Sequence, residues 1–164
     1  MARPYRSVLY IPAANARAME KARGLAADAI IFDLEDAVAP DAKDAARDAL
    51  AQALTQDYGP RARIVRINAL STEWGAEDAR ACAGLEIDAV LIPKVDGPED
   101  LDRVSALVPD TPLWAMMETP RAMLNAAAIA AHPRLEGMVM GTNDLAKELG
   151  SRFRPDRLPM MAGL

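Results

Sequence analysis

The chain has 164 residues, the length of one ordinary domain; 51% of them are hydrophobic and 26% are charged. This composition supplies enough apolar material for a core and excludes a disordered chain. The net charge of -5 excludes a basic nucleic-acid-binding surface, and a single cysteine excludes an internal disulfide framework and fits a reducing compartment. The apolar runs are too short for a transmembrane helix or a secretory signal, so we expect a cytoplasmic protein without a membrane or nucleic-acid partner.

Six short runs rich in Val, Ile, Leu and Met predict β-strands at fairly regular intervals. Each run is nearly continuously apolar rather than alternating, which is typical of parallel strands buried on both faces. The predicted strands are residues 7–13, 29–36, 63–69, 89–95, 113–119 and 137–144.

Alanine-rich stretches with a helical period separate these runs. Asp41 is the expected N-cap of one helix, and Gly97-Pro98 opens another. Thr119-Pro120 is the start signal of a helix that extends to residue 131. The alternation of strand and helix predicts a parallel α/β sheet with right-handed crossovers.

Two architectures compete for this pattern: an open doubly wound sheet and a (β/α)8 barrel of the TIM type. Polar residues follow most of the predicted strands, which favours a barrel mouth, and no glycine-rich nucleotide-binding loop occurs. A complete barrel needs eight strands and about 250 residues. The sequence therefore predicts a single catalytic-type barrel domain over residues 1–164 that is incomplete, with about six βα units.

Glu118 and Asp144 follow neighbouring predicted strands and are separated by one strand-helix unit. Two carboxylates at the ends of adjacent parallel strands can share a hard cation, and Mg²⁺ is usually held by one or two carboxylates, waters and substrate oxygens. The alternative is that Glu118 makes a local cap or ion pair and Asp144 only begins the following helix.

Arg66 lies within the apolar run Ile64-Val65-Arg66-Ile67. A guanidinium in such a strand must reach the barrel mouth or be paired, because an unpaired buried charge is very costly. Its planar fork suits a substrate carboxylate. A structural ion pair with Asp33, Glu35 or Asp36 explains the same pattern, and the sequence leaves both interpretations open.

The main-chain amides of Gly141, Thr142 and Asn143 precede a predicted helix and offer an anion site, or else an ordinary helix cap. Lys94 is a rival catalyst, because a desolvated lysine at a strand end can form a Schiff base with a carbonyl substrate. The alternative for Lys94 is neutralisation of nearby carboxylates.

Six motifs in register give the chain a resemblance to a known family over residues 6–150. The sequence resembles the HpcH/HpaI aldolase and citrate lyase family, in particular its citrate lyase beta-subunit-like and malyl-CoA lyase branch. The motifs are Arg6-Ser7-Val8-Leu9-Tyr10-Ile11-Pro12, Phe32-Asp33-Leu34-Glu35-Asp36-Ala37-Val38, Arg66-Ile67-Asn68, Ile92-Pro93-Lys94-Val95, Met117-Glu118-Thr119-Pro120 and Gly141-Thr142-Asn143-Asp144-Leu145.

The resemblance implies a Mg²⁺-dependent carbon-carbon lyase on a barrel, assembled as a homotrimer or hexamer. Such enzymes cleave a 3-hydroxyacyl thioester of the citryl-CoA or malyl-CoA type into an acetyl thioester and an oxo acid such as oxaloacetate, or run the reverse condensation. The thioester carrier is coenzyme A or an acyl carrier protein.

The resemblance also implies a role for each residue that matches a family motif. The roles are metal binding for Glu118 and Asp144, oxo-acid binding and carbonyl polarisation for Arg66, carboxylate binding by the amides of Gly141, Thr142 and Asn143, an acidic catalytic layer around metal-bound waters for Glu35 and Asp36, and coenzyme A phosphate binding for Arg17 and Lys21.

Members of this family continue into a complete barrel and a carboxyl-terminal segment that supplies an acidic catalytic residue to a neighbouring subunit. We therefore expect this chain to be truncated at its C-terminus, with the metal and oxo-acid half of the site but without that acid. Two alternatives to a lyase stay open: a non-catalytic oxo-acid-binding or assembly subunit, and a Schiff-base aldolase that uses Lys94.

Overall fold

The structure, a computed structural model, describes residues 4–161 and 163. Strands and helices alternate along these residues, and no helix among them is long and apolar enough to cross a bilayer. The strands are β1 (Val8–Pro12), β2 (Ala29–Asp33), β3 (Ala62–Arg66), β4 (Ala89–Ile92), β5 (Leu113–Met117) and β6 (Leu135–Met140). The helices are α1 (Ala16–Ala22), α2 (Lys43–Ala53), α3 (Gly75–Cys82), α4 (Pro98–Ser105), α5 (Pro120–Leu124), α6 (Ala126–Ala130) and α7 (Thr142–Glu148).

All six strands are parallel and pair in sequence order from β1 to β6. Each connection therefore joins two neighbouring strands, which is the topology of a barrel and not of a doubly wound sheet, where the order reverses. Within the described residues the sheet does not close, because β1 and β6 are its two edges. The prediction of an incomplete barrel of about six βα units is confirmed.

Alternating side chains of the strands enter two separate cores. On β2, Ile30 and Phe32 pack with the helices, whereas Ala29 and Ile31 face the concave side of the sheet. The concave side contains a cavity of about 920 Å³ that Trp114 and neighbouring inward side chains line. This two-sided burial explains the continuous apolar runs, since both faces of a central strand are covered.

The predicted burial holds for the central strands and fails at the edges. Every residue of β2, β4 and β5 is buried, whereas β1 and β6 contain exposed residues such as Val8 and Met138. The reason is physical: an edge strand lacks a neighbour on one side.

The structure corrects two predicted helices. Asp41 does not cap α2, because it lies inside a 3₁₀ turn over Pro40–Ala42 and the α-helix begins at Lys43. The predicted helix after Thr119 is interrupted at Asn125, where α5 ends and α6 begins. The strands also end one to four residues earlier than predicted, so most of the polar residues at the predicted strand ends lie in loops.

Candidate active site

The pleat of the sheet aims a set of polar side chains at one end of the concave face. Asp33 follows the inward Ile31 by two residues, and Arg66 follows the inward Ile64 by two residues. Both side chains therefore lie on the inward face, because successive side chains of a strand point to opposite sides. Arg66 and Asp33 follow this alternation and are register partners on neighbouring strands. The site is therefore built at the carboxyl ends of the strands, as in other parallel barrels.

Arg66 is the centre of a buried ion-pair cluster. Its Nε and Nη2 atoms donate to the two carboxylate oxygens of Asp33 at 2.8 and 2.6 Å. Its Nη1 atom lies 2.8 Å from Oε2 of Glu35 and 3.7 Å from Oδ2 of Asp36. The Glu35 contact is an ion pair without hydrogen-bond geometry, since Oε2 of Glu35 has no hydrogen-bond partner. Asp33 therefore fixes the guanidinium by two hydrogen bonds, as the ion-pair interpretation predicts. The substrate-carboxylate interpretation of Arg66 stays a prediction.

Tyr10 covers one face of this guanidinium. The ring centroid lies 5.2 Å from Cζ of Arg66, and the Tyr10 hydroxyl donates to Sδ of Met116 at 3.2 Å. A cation over an aromatic face at this distance is attracted by the ring quadrupole. Burial raises the pKa of the phenol to about 12, so Tyr10 stays neutral. Tyr10 was not predicted as a site residue. The signal that could have found it is its position two residues after Val8, which also lines the concave side of the sheet.

A second buried network braces the loop that carries Glu35. The Lys43 ammonium, 5% exposed, donates to the carbonyl oxygens of Leu34 and Glu35 at 2.7 Å each and to Oδ1 of Asn68 at 2.8 Å. Asn68 in turn donates to Oδ2 of Asp78 at 2.6 Å. Lys43 links the ends of β2 and β3, and no local sequence signal reveals it because its partners are distant along the chain.

Glu118 follows β5 and is almost completely buried, with 1% of its surface exposed. Its Oε1 accepts the main-chain N–H of Lys94 at 2.7 Å. Gly141 approaches the same carboxylate so closely that a Cβ would lie 2.5 Å from Cβ of Glu118 and 2.6 Å from Oε2. Burial raises the pKa of Glu118, the Lys94 N–H bond opposes that shift, and the charge of Asp144 adds to it.

Asp144 lies in the first turn of α7, and its charge acts on Glu118 strongly enough to raise the pKa of that carboxyl, so the two predicted metal ligands share one neighbourhood. The described residues contain no group of three or more His, Cys, Asp and Glu side chains arranged to hold a metal ion. Two carboxylates are nevertheless a donor set that Mg²⁺ accepts, because it keeps several waters and takes substrate oxygens. The residues present fit such an ion.

Acidic groups outnumber basic groups around this site. Burial raises the pKa of Glu35 to about 7; Arg66 opposes that shift, and the charges of Asp36 and Glu118 add to it. A carboxyl group with a pKa near neutrality can accept and donate protons under ordinary conditions. The same excess of buried negative charge favours a bound cation.

The remaining predicted site residues are two cations on α1, Lys94 and the residues at the start of α7. Arg17 and Lys21 are exposed on α1, which follows β1. Lys94 also exposes its side chain, and the site contact that it makes is through its main chain. Gly141 is the N-cap of α7, and its N–H already donates to the carbonyl oxygen of Met117 at 3.0 Å, so the structure corrects the prediction that this amide binds a carboxylate. Thr142 and Asn143 begin α7, where first-turn amides lack intrahelical partners.

Comparison with known proteins agrees with this architecture. The family model described as HpcH/HpaI aldolase/citrate lyase matches residues 6–161. The chain belongs to the HpcH/HpaI aldolase/citrate lyase family. The resemblance noted from the sequence motifs is therefore confirmed.

Similar proteins in this family carry two different activity names. A (3S)-malyl-CoA thioesterase of Cereibacter sphaeroides strain KD131 is 70% identical over 99% of this chain. A structure named as the citrate lyase beta subunit of M. tuberculosis, complexed with oxaloacetate and magnesium, has a TM-score of 0.81 and 34% identity, covering 94% of this chain and 69% of that one. A structure of CitE from Mycobacterium tuberculosis with magnesium, acetoacetate and coenzyme A has a TM-score of 0.78 and 34% identity, covering 94% and 55%. The chain spans 58% of the length of the thioesterase.

Proposed function

We propose that this chain provides a Mg²⁺ and carboxylate-binding site that acts on a malyl-CoA-type thioester, with hydrolysis of the thioester as the reaction. The single observation that carries the proposal is the placement of Arg66 and Glu118 on the same end of the concave face. Arg66 supplies fixed positive charge for a substrate carboxylate, and Glu118 supplies a buried oxygen ligand. Oxaloacetate and magnesium in a structural relative support this chemistry.

In this proposal Glu118 and Asp144 would hold a Mg²⁺ ion, which accepts a small number of carboxylate ligands. When bound, the ion would supply Lewis-acid polarisation of a substrate carbonyl oxygen. Gly141 packs against Glu118 so closely that a Cβ there would lie 2.6 Å from Oε2, so the lack of a side chain at this position leaves the carboxylate its place. The amides of Thr142 and Asn143 add hydrogen-bond donors for a substrate carboxylate.

Glu35 is the proposed general base, and Asp36 is an exposed acidic neighbour that favours the cation. Burial gives Glu35 a pKa of about 7, which suits proton transfer near neutral pH. In hydrolysis Glu35 takes a proton from the attacking water, whose oxygen forms a bond to the thioester carbon. The carbon-sulfur bond then breaks, and the leaving thiolate takes that proton back from Glu35. The products are malate and the free thiol.

Hydrolysis is preferred to carbon-carbon cleavage because of sequence identity. Four malyl-CoA thioesterases of Cereibacter sphaeroides strains are 66–70% identical to this chain, whereas the citrate lyase beta-subunit structure is 34% identical. Carbon-carbon lyase activity is the second candidate, favoured by the pairing of a guanidinium with a metal-binding carboxylate, which suits an oxo acid. In that reaction the base takes the substrate hydroxyl proton, and the products are an acetyl thioester and a two-carbon oxo acid.

One assay distinguishes the two reactions. Malyl-CoA is incubated with the protein and Mg²⁺, and free thiol and oxo acid are measured in parallel. Hydrolysis releases thiol without oxo acid, and carbon-carbon cleavage releases oxo acid without thiol. Binding of oxaloacetate without release of either product would support the non-catalytic subunit. Borohydride trapping of an oxo acid on the protein, with a yield that EDTA does not change, would support a Schiff base at Lys94. Loss of turnover in Glu35→Gln, with retained Mg²⁺ binding, is the expected signature of the base.

Two further elements of the proposal concern partners. Arg17 and Lys21 project from α1 as exposed cations and are the proposed contacts for the coenzyme A phosphates, or for an acyl carrier protein. A double Arg17→Ala, Lys21→Ala variant should weaken coenzyme A binding without changing Mg²⁺ binding. We also propose a cytoplasmic homo-oligomer, trimeric or hexameric, for which native mass measurement is the test.

A further inference from the structure

Lys94 has a backbone conformation that lysine rarely adopts. Its φ is +50°, and within the described residues only Lys94 and Arg157 combine a side chain with a positive φ. The left-handed region is unfavourable for residues with a Cβ, and glycine and asparagine enter it most readily. Strain of this kind persists only where the surroundings enforce it, and it is common at functional sites.

The unusual backbone lies directly after β4 and contacts the buried carboxylate of the site. The main-chain N–H of Lys94 donates to Oε1 of Glu118 at 2.7 Å, across to the neighbouring strand. The preceding Ile92 and Pro93 are buried, whereas the Lys94 side chain is exposed. The residue therefore presents its amide inward and its ammonium outward.

This amide determines how the Glu118 carboxylate is turned. With Oε1 bound to Lys94, the other oxygen lies beside the backbone of Gly141, where a Cβ would be 2.6 Å away. A carboxylate that is fixed by one charge-assisted hydrogen bond loses less freedom when it binds a cation.

We propose that Lys94 is a positioning residue that acts through its main chain: its left-handed backbone aims the amide at Glu118 and thereby orients that carboxylate for a divalent cation. The inference rests on the proposed Mg²⁺ site. The Lys94 amine has no covalent role in this proposal, and position 94 tolerates the residue types that adopt positive φ.

The test compares three uncharged substitutions, Lys94→Gly, Lys94→Asn and Lys94→Val, by calorimetric titration with MgCl₂. All three remove the ammonium, so differences among them report the backbone. Lys94→Gly and Lys94→Asn should bind Mg²⁺ about twofold more tightly than the unsubstituted protein, because a nearby positive charge is removed. Lys94→Val should bind about tenfold more weakly than Lys94→Gly, because a β-branched residue resists positive φ and moves the amide.

Thermal unfolding without metal provides a second readout that does not depend on cation binding. The melting temperature of Lys94→Gly should be higher than that of Lys94→Val, with Lys94→Ala between them. Lys94→Ala also replaces Lys94→Val in the comparison if the latter does not fold. Equal Mg²⁺ affinities of Lys94→Gly and Lys94→Val, or of Lys94→Gly and Lys94→Ala, would overturn the proposal. Absence of Mg²⁺ binding in the unsubstituted protein would contradict the proposed function instead, and the order of melting temperatures would still decide the backbone role.

Discussion

Replacement of Asp33 by Asn is the most informative perturbation of the cluster. Asp33 is 2% exposed and forms two hydrogen bonds with Arg66, at 2.8 and 2.6 Å. It also accepts the N–H groups of Glu35 at 2.8 Å and Ala37 at 3.1 Å, so it shapes the loop after β2. Asn preserves the volume and one acceptor oxygen but removes the charge.

The expected cost follows from what remains around Arg66. Removal of one partner from a buried ion pair costs about 3 to 5 kcal/mol. The Glu35 carboxylate still lies 2.8 Å from Nη1 of Arg66, so we expect the lower end, about 3 kcal/mol. For a chain of this length that corresponds to a fall in melting temperature of about 6 to 12 °C.

Urea unfolding monitored by circular dichroism measures this loss, with Asp36→Asn as the matched control. Asp36 lies 3.7 Å from the same guanidinium, but its side chain is 63% exposed, so its loss should cost less than about 0.5 kcal/mol. Asp33→Asn should also weaken oxaloacetate binding, because the guanidinium is no longer held. A loss of stability below about 1 kcal/mol, or equal effects of the two variants, would refute the reasoning.

Three further predictions follow from the geometry. Tyr10→Leu should weaken oxaloacetate binding about threefold to fivefold by calorimetry, whereas Tyr10→Phe keeps the ring over Arg66 and should not; equal losses would refute the stacking role. Gly141→Ala should destabilise the protein by about 1 to 3 kcal/mol in urea and impair Mg²⁺ binding, because its Cβ would lie 2.5 Å from Cβ of Glu118, whereas Gly84→Ala, whose nearest neighbour is 4.0 Å away, is the control. Burial raises the pKa of Glu35 from 4.5 to about 7, so the folded protein holds this proton more tightly than the unfolded chain. The free energy of unfolding in EDTA should therefore fall by roughly 2 to 3 kcal/mol as the pH rises from about 4.5 to 7. The Glu35→Gln variant should lack that fall, and parallel pH profiles of the two proteins would contradict the prediction.

The sequence predicted the sheet because its signals are local. Continuous apolar runs mark strands that are covered on both sides, and all six strands lie within two residues of the predicted starts. Burial at β1 and β6 could not be predicted, since position at an edge depends on the whole sheet. The break at Asn125 was missed because strong helix formers such as Arg, Ala, Met and Leu stand on both sides of it.

The site was predictable where one side chain makes the contact and not where the main chain does. Arg66 stands out because a charge in an apolar strand requires a partner, and Asp33 is its neighbour in the sheet. Lys43 has acceptors that lie eight to twenty-five residues away, so its buried network has no local signature. The sequence gives no signal for the Lys94 amide either, because its contact with Glu118 depends on the backbone conformation.

Calorimetric titration of the protein with MgCl₂, repeated for Glu118→Gln and Asp144→Asn, tests the central claim most directly. Both substitutions keep the side-chain shape and remove one negative oxygen ligand, and circular dichroism verifies that each variant is folded. The account predicts saturable Mg²⁺ binding for the unsubstituted protein and its loss in both variants. Undiminished Mg²⁺ binding in a folded Asp144→Asn or Glu118→Gln variant would contradict the account.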